Sequence, residues 1–146
     1  LPEKPGFAEV YGGGDFGGDG ALMRAHAYRL TGDARHLDAA RKVAEAYAGV
    51  QPIPAEPYTR AQIYGVLLNL MLDMHELDKN ARWLPAADAY ARRAIEVLYR
   101  NGLFRGAVSV WYYDSELGVN SLVYGLLRLH VAQSGGPALP PYTFIR

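Results

Sequence analysis

A chain of 146 residues, half of them apolar and 21% charged, has the composition of one folded domain and not that of a disordered segment. It contains no cysteine, which removes disulfide frameworks, cysteine-held metal clusters and thiol nucleophiles together while leaving the compartment open. Its 15 Lys and Arg balance 15 Asp and Glu, so the basic excess of a nucleic-acid binder is missing, and no apolar run approaches the roughly 18 residues of a membrane span.

The start, Leu1-Pro2-Glu3-Lys4-Pro5, lacks the charged-then-apolar order of a signal peptide. Helix breakers then divide the chain. Six of the 16 glycines fall between Gly12 and Gly20, three of the nine prolines are Pro52, Pro54 and Pro57, and three more follow Gly136. Between these clusters apolar residues recur at three-to-four spacing, a helix period. A first helix is expected from about Asp19, as its N-cap, to Leu30, ended by Thr31-Gly32. A second begins at Asp33, carries Leu37, Ala40, Val43, Ala44 and Tyr47, and stops at Gly49. A third runs from near Thr59 to about Leu77 and is apolar over most of its circumference, which predicts burial on most sides. The fourth spans about Ala81 to Tyr99, with Pro85 in its first turn and Asn101-Gly102 as its stop. The fifth, also apolar, runs from about Ser115 or Glu116 to Val131. Between these last two, Ala107–Tyr113 is rich in β-branched and aromatic residues and reads as a short strand or extended loop. One short strand makes no sheet, so the expected class is all-α: a single domain over residues 1–146, built as an array of antiparallel helical hairpins.

An internal repeat supports the array. Ala34–Ala40 aligns with Ala81–Ala87 at a spacing of 47, and Tyr64-Gly65 is echoed by Tyr124-Gly125. The connections inside each hairpin are short, whereas the loops before the first, third and fifth helices are long and hold Gly, Pro, aromatic and acidic residues. Up-down alternation places those three loops at one end of the array, where binding and chemistry tend to sit on a rigid scaffold.

Two stretches carry a resemblance to a known group. Arg29-Leu30-Thr31-Gly32-Asp33 through Leu37-Asp38-Ala39-Ala40 resembles the hairpin turn of the α/α-toroid, or six-hairpin, carbohydrate-active enzymes, and Gly102–Gly106 leading to Tyr112-Tyr113-Asp114 and Gly118 is similar to their loop-to-inner-helix segments. That group includes glycoside hydrolases, polysaccharide lyases and uronyl epimerases. The resemblance implies that the first, third and fifth helices line a cleft and that the second and fourth lie outside them. It also implies a saccharide partner, and a secreted or periplasmic location. A ring of about six hairpins exceeds the two and a half of this chain, which marks the likeness as one of architecture.

The candidate site residues come from the long loops. Asp15 and Asp19 precede or open the first helix, and Asp114 and Glu116 the fifth. Glycoside hydrolysis needs two carboxyl groups across the scissile bond, about 5–5.5 Å apart for retention or roughly 6.5–9.5 Å for inversion. These four are the candidate catalytic residues, although Asp19 and Asp114 are also good helix caps. Tyr11, Tyr58, Trp111, Tyr112 and Tyr113 offer ring faces on which the C–H face of a sugar stacks. Arg60 and Asn120 suit stabilisation of a developing anion in a lyase or epimerase. His26 is the histidine best placed to touch a substrate. The four histidines show no metal-ligand spacing, so no metal is expected. Gly12–Gly17 formally matches G-x-G-x-x-G, but a dinucleotide site also needs a second parallel strand ending in an acidic residue, and Asp33 lies in a helix–helix turn. No cofactor is expected.

The functional expectation is a carbohydrate-active domain, hydrolase or lyase/epimerase, with a noncatalytic helical-repeat binding or structural module as the alternative. The missing initiator Met, and a fifth helix that is apolar on more than one face with no helix after it, predict a fragment of a longer chain or a subunit of an oligomer. Leu122, Leu126 and Leu129 should then be covered by another chain or by a terminal segment folding back.

Overall fold

The computed structural model describes residues 6–7, 16–111 and 117–143. The helix signals resolve into α1 (Gly18–Thr31), α2 (Ala34–Ala48), α3 (Ala61–Asp78), α4 (Trp83–Leu98) and α5 (Val119–Gln133). The fold is all-α. Its one sheet among the described residues is a two-stranded hairpin, β1 (Tyr99–Arg100) and β2 (Leu103–Phe104). Asn101-Gly102 does more than stop α4: both residues take positive φ, 51° and 86°, the geometry of the tight turn that joins antiparallel strands.

Several boundaries differ from expectation for local reasons. Asp19 is not the N-cap of α1. The cap is Gly17, whose N–H is held by the Tyr47 hydroxyl at 3.1 Å, so the helix begins earlier and Asp19 sits in its first turn, where a carboxylate complements the helix dipole. Thr59 is drawn into pairing with the loop before α5, and α3 therefore starts at Ala61. Gly118 adopts φ 76° against Gln62, so α5 starts at Val119; Ser115 and Glu116 lie outside the described residues. Ala107–Trp111 forms no strand: Ala107 makes an isolated antiparallel bridge with Arg60.

The helices form two layers, α1, α3 and α5 in one and α2 and α4 in the other. Flanked by α1 and α5 and backed by the second layer, α3 buries every residue from Ala61 to Met74 except Gln62. The α3–α5 crossing is close because it is made on glycines: a Cβ on Gly65 would strike Ser121 and the Leu122 backbone, and one on Gly125 would press on Leu68 and Asn69. Across the second layer, Tyr90 donates its hydroxyl to the Tyr47 carbonyl at 2.9 Å, and Asp78 accepts both Arg41 Nε and the Trp83 indole N–H.

After α5 the chain turns at Gly135 (φ 70°) and runs back along the three-helix layer. Gly136 N donates to Val131 O at 3.0 Å, Tyr124 Oη to Pro140 O at 2.8 Å and His26 Nε2 to Tyr142 O at 2.6 Å. Leu122 and Leu129 are buried within the chain itself and Leu126 partly so, while Val123 and Leu127 stay about half exposed.

Candidate functional site at the loop end of the three-helix layer

Tyrosine hydroxyls from the helices fix the long loops. Tyr47 of α2 accepts the Gly17 amide, donates to Gly6 O at 2.8 Å and meets the Phe7 and Phe16 rings edge-on. Tyr64 of α3 donates to Pro54 O at 2.7 Å, and Arg93 Nε donates to the neighbouring Ile53 carbonyl at 3.0 Å. Burial pushes the Tyr64 phenol up to about 12, which keeps it a donor across the physiological range.

The loops before α3 and α5 are zipped together by their backbones. Ala61 N donates to Gly106 O at 2.7 Å, Val108 N to Thr59 O at 3.1 Å and Ser109 N to Pro57 O at 2.8 Å. This pairing sets Tyr58 and Trp111 on adjoining segments of one rim, 81% and 84% exposed. Arg60 lies partly buried at the base of the same rim, and Asn120 stands in the first turn of α5 with Oδ1 accepting the Ser121 amide at 2.9 Å.

Tyr142 shows that the start of α1 belongs to this end. Its phenol is raised by burial first and by the Asp19 carboxylate second, against a hydrogen bond with Ser121 that works the other way, so the ring bonds the first turn of α5 within electrostatic reach of the first turn of α1. The structure thus brings Tyr58, Arg60 and Trp111 onto paired loop segments, places Asn120 in the first turn of α5 beside the β1–β2 hairpin, and sets Asp19 in the first turn of α1. His26 lies two turns along α1 from Asp19 and holds a tail carbonyl. Tyr11, Asp15, Tyr112, Tyr113, Asp114 and Glu116 lie outside the described residues, as does most of the Gly12–Gly17 motif.

A polar seam runs from this end down the layer, and sequence reasoning missed it. Asn69, Asp73 and Glu76 form one stripe of α3, and Arg128 of α5 reaches all three: Nη1 to Asn69 Oδ1 at 3.0 Å, Nη2 to Asp73 Oδ1 at 2.8 Å and to Glu76 Oε1 at 2.7 Å. Arg29 of α1 closes the quartet with Nη1 3.1 Å from Asp73 Oδ2 and Nη2 2.8 Å from Glu76 Oε2. Asn69 Nδ2 also donates to Gly65 O and Ser121 O. Burial works against the charge of Arg128, yet Asp73 and Glu76 outweigh it and hold the guanidinium above its ordinary value. Two cations facing two carboxylates leave the seam without net charge. The signal was present in the sequence: carboxamide and carboxylates at i, i+4 and i+7 in an otherwise apolar helix, and an arginine among the leucines of α5.

At its far end the seam opens into a cavity of about 310 Å³ between the ends of α3 and α5, with Glu76, His75, Lys79 and Arg128 on one side and Ala138 and Leu139 of the tail on the other. Among the described residues no three His, Asp or Glu are grouped to hold a metal ion, and no helix is long and apolar enough to cross a membrane. Comparison of the chain with protein-family models, curated proteins and solved structures finds no match in any of the three.

Proposed function

We propose that this chain binds a saccharide at the loop end of its three-helix layer, as part of a carbohydrate-active protein of glycoside hydrolase or lyase/epimerase type. The observation that carries the reading is the paired display of Tyr58 and Trp111 on one backbone-zipped rim. A sugar ring has an apolar C–H face that stacks on an aromatic ring and hydroxyls that bond beside it, and the rim supplies two rings next to Arg60 and Asn120. The loop leading to the rim is held at Pro54 by Tyr64 of α3 and at Ile53 by Arg93 of α4, which lowers the ordering cost of binding. In this reading Asp114, Glu116 and Asp15 supply the acid and base, and Tyr11, Tyr112 and Tyr113 extend the platform.

The test is calorimetric titration with cello-, malto- and chito-hexaose and with hexagalacturonate. Removing either ring, as Tyr58→Ala or Trp111→Ala, should weaken binding about tenfold, equivalent to roughly 1.4 kcal/mol. Should the unmodified chain bind none of the four, the saccharide reading is wrong. Turnover should fall about 10²–10⁴-fold in Asp114→Asn or Glu116→Gln. Binding without turnover would leave a noncatalytic module.

A further inference from the structure

We propose that the cavity between the ends of α3 and α5 is a second binding site, which takes a compact carboxylic acid whose apolar body is about the size of one ring. The inference does not rest on the saccharide reading: the cavity lies at the opposite end of the three-helix layer from the Tyr58–Trp111 rim.

Size and walls come first. The cavity holds about 310 Å³. A cavity of roughly 150 Å³ takes benzene, so this one has room for a ring and one charged group together. Leu72 of α3, Ala132 of α5, and Ala138 and Leu139 of the tail give it an apolar wall, to which His75 and Lys79 at the end of α3 add polar groups. A ligand with one apolar end and one polar end matches that division.

Charge decides the polar end. Glu76 and Arg128 also line the cavity, but they are already answered. Glu76 Oε1 accepts from Arg128 at 2.7 Å and Oε2 from Arg29 at 2.8 Å, while Arg128 also meets Asp73 at 2.8 Å. Two guanidinium groups and two carboxylates cancel. Lys79 is the charge left over, exposed and without an ion pair among the described residues. A free ammonium on the wall of an otherwise balanced, half-apolar cavity favours an anion over a cation.

His75 supplies a second donor. Its Nδ1 is enclosed and has no hydrogen-bond partner, and an enclosed nitrogen of that kind is better left as a lone pair than as an orphaned N–H. The ring proton then sits on Nε2, which is not enclosed and has no partner among the described residues. Lys79 follows His75 by one helical turn, so the two can meet the two oxygens of one carboxylate.

The backbone gives an independent sign. Lys79 caps the C-terminus of α3 at φ 56°, a left-handed geometry that favours glycine. At the repeat spacing of 47 the cap of α1 is Gly32, at φ 70°. One hairpin makes this turn with glycine; the other makes it with a lysine, at a backbone cost, and that lysine lines the cavity.

The experiment titrates the chain with benzoate and 3-methylbutanoate and follows the amide signals of His75, Lys79, Ala132 and Leu139 by NMR. Two reference probes separate charge from shape: benzamide keeps the form of benzoate without its charge, and inorganic phosphate is an anion without an apolar body. Both acids should shift these signals with Kd about 1 mM, and benzamide and phosphate should bind about tenfold more weakly. Lys79→Gln and Lys79→Gly should each weaken benzoate about tenfold and leave benzamide unchanged. Because glycine suits the cap, Lys79→Gly should melt within about 3 °C of the parent, so that its lost affinity does not come from a damaged fold. Equal affinity for benzoate and benzamide overturns the proposal, as does phosphate bound as tightly as benzoate. Benzoate affinity unchanged in Lys79→Gly overturns it too, and so does a titration in which neither acid moves the four signals. None of these results depends on whether a sugar binds the rim.

Discussion

In the α1–α2 hairpin Asp33 Oδ1 accepts the Arg35 amide at 3.0 Å, and 47 residues on, between α3 and α4, Asn80 Oδ1 accepts the Arg82 amide at 3.1 Å. The same spacing pairs Gly18 with Gly65 and Arg29 with Glu76, which bond to each other across the layer. Two hairpins with one turn and one register nevertheless differ in burial: α1 leaves Met23, Arg24 and Leu30 exposed, whereas α3 is enclosed nearly all round. The difference lies in the neighbours. α1 stands at the edge of its layer and α3 between two helices, so equivalent positions carry different loads.

The largest test of that asymmetry is in the charged quartet. Arg128→Ala should cost about 3–5 kcal/mol, because it strips the buried cation from the α3 carboxylates and leaves Asp73, fully inaccessible, short of a counter-charge. Arg29→Ala should cost less, about 1–3 kcal/mol, since Arg29 is partly solvated and Arg128 still bonds both acids. Urea unfolding of the two variants gives the comparison, and equal losses would remove the distinction between edge and centre.

Next come the paired glycines. Gly65→Ala drives a methyl group into the backbone of α5 and should cost about 1–3 kcal/mol despite alanine's better helix propensity. Gly18→Ala meets only the ring of Phe16, which can turn aside, and should stay within about 0.5 kcal/mol of the parent. Thermal melts separate the two; a harmless Gly65→Ala would mean that α3 and α5 are not locked at this crossing.

The smallest effect is a pH response confined to one turn. Arg35, through its guanidinium first and its amide second, holds the Asp33 carboxyl below the ordinary carboxylate range. That interaction therefore supports the turn at neutral pH, and its contribution is lost as pH falls from the ordinary carboxylate value through the depressed one. Asn80 does not titrate. In an acid titration followed by NMR, the Arg35 amide should shift while that of Arg82 stays still, and parallel shifts would show that the two turns are not distinguished by this ionisation.

The residues that were legible beforehand are those whose signals are local. Gly32 and Asp33 between α1 and α2, the proline cluster before α3 and the apolar period of each helix act within one or two turns, so they read correctly without knowledge of the neighbours. The expected grouping of loops followed from up-down alternation, and the loops before α3 and α5 are paired through their backbones. What went astray was decided at a distance. Asp19 lost the cap to Gly17 because Tyr47, 30 residues away, holds the Gly17 amide. Thr59 was taken out of α3 by a backbone bond from Val108.

By itself, then, the sequence determined five helices, two matched hairpins and a long-loop end, because helix propensity, capping and breaker residues act over a few positions. Only the tertiary structure decided which charges meet. Arg29, Asp73, Glu76 and Arg128 come from three helices, with 44 to 55 residues separating Asp73 from its two arginines, and a guanidinium buried from water must take whichever carboxylate the crossing brings within reach. The tail after α5 is the extreme case. His26 and Tyr142 are 116 residues apart, and nothing local in a Gly-Pro segment specifies where it lies; side-chain donors on α1 and α5, His26 to the Tyr142 carbonyl and Tyr124 to the Pro140 carbonyl, do.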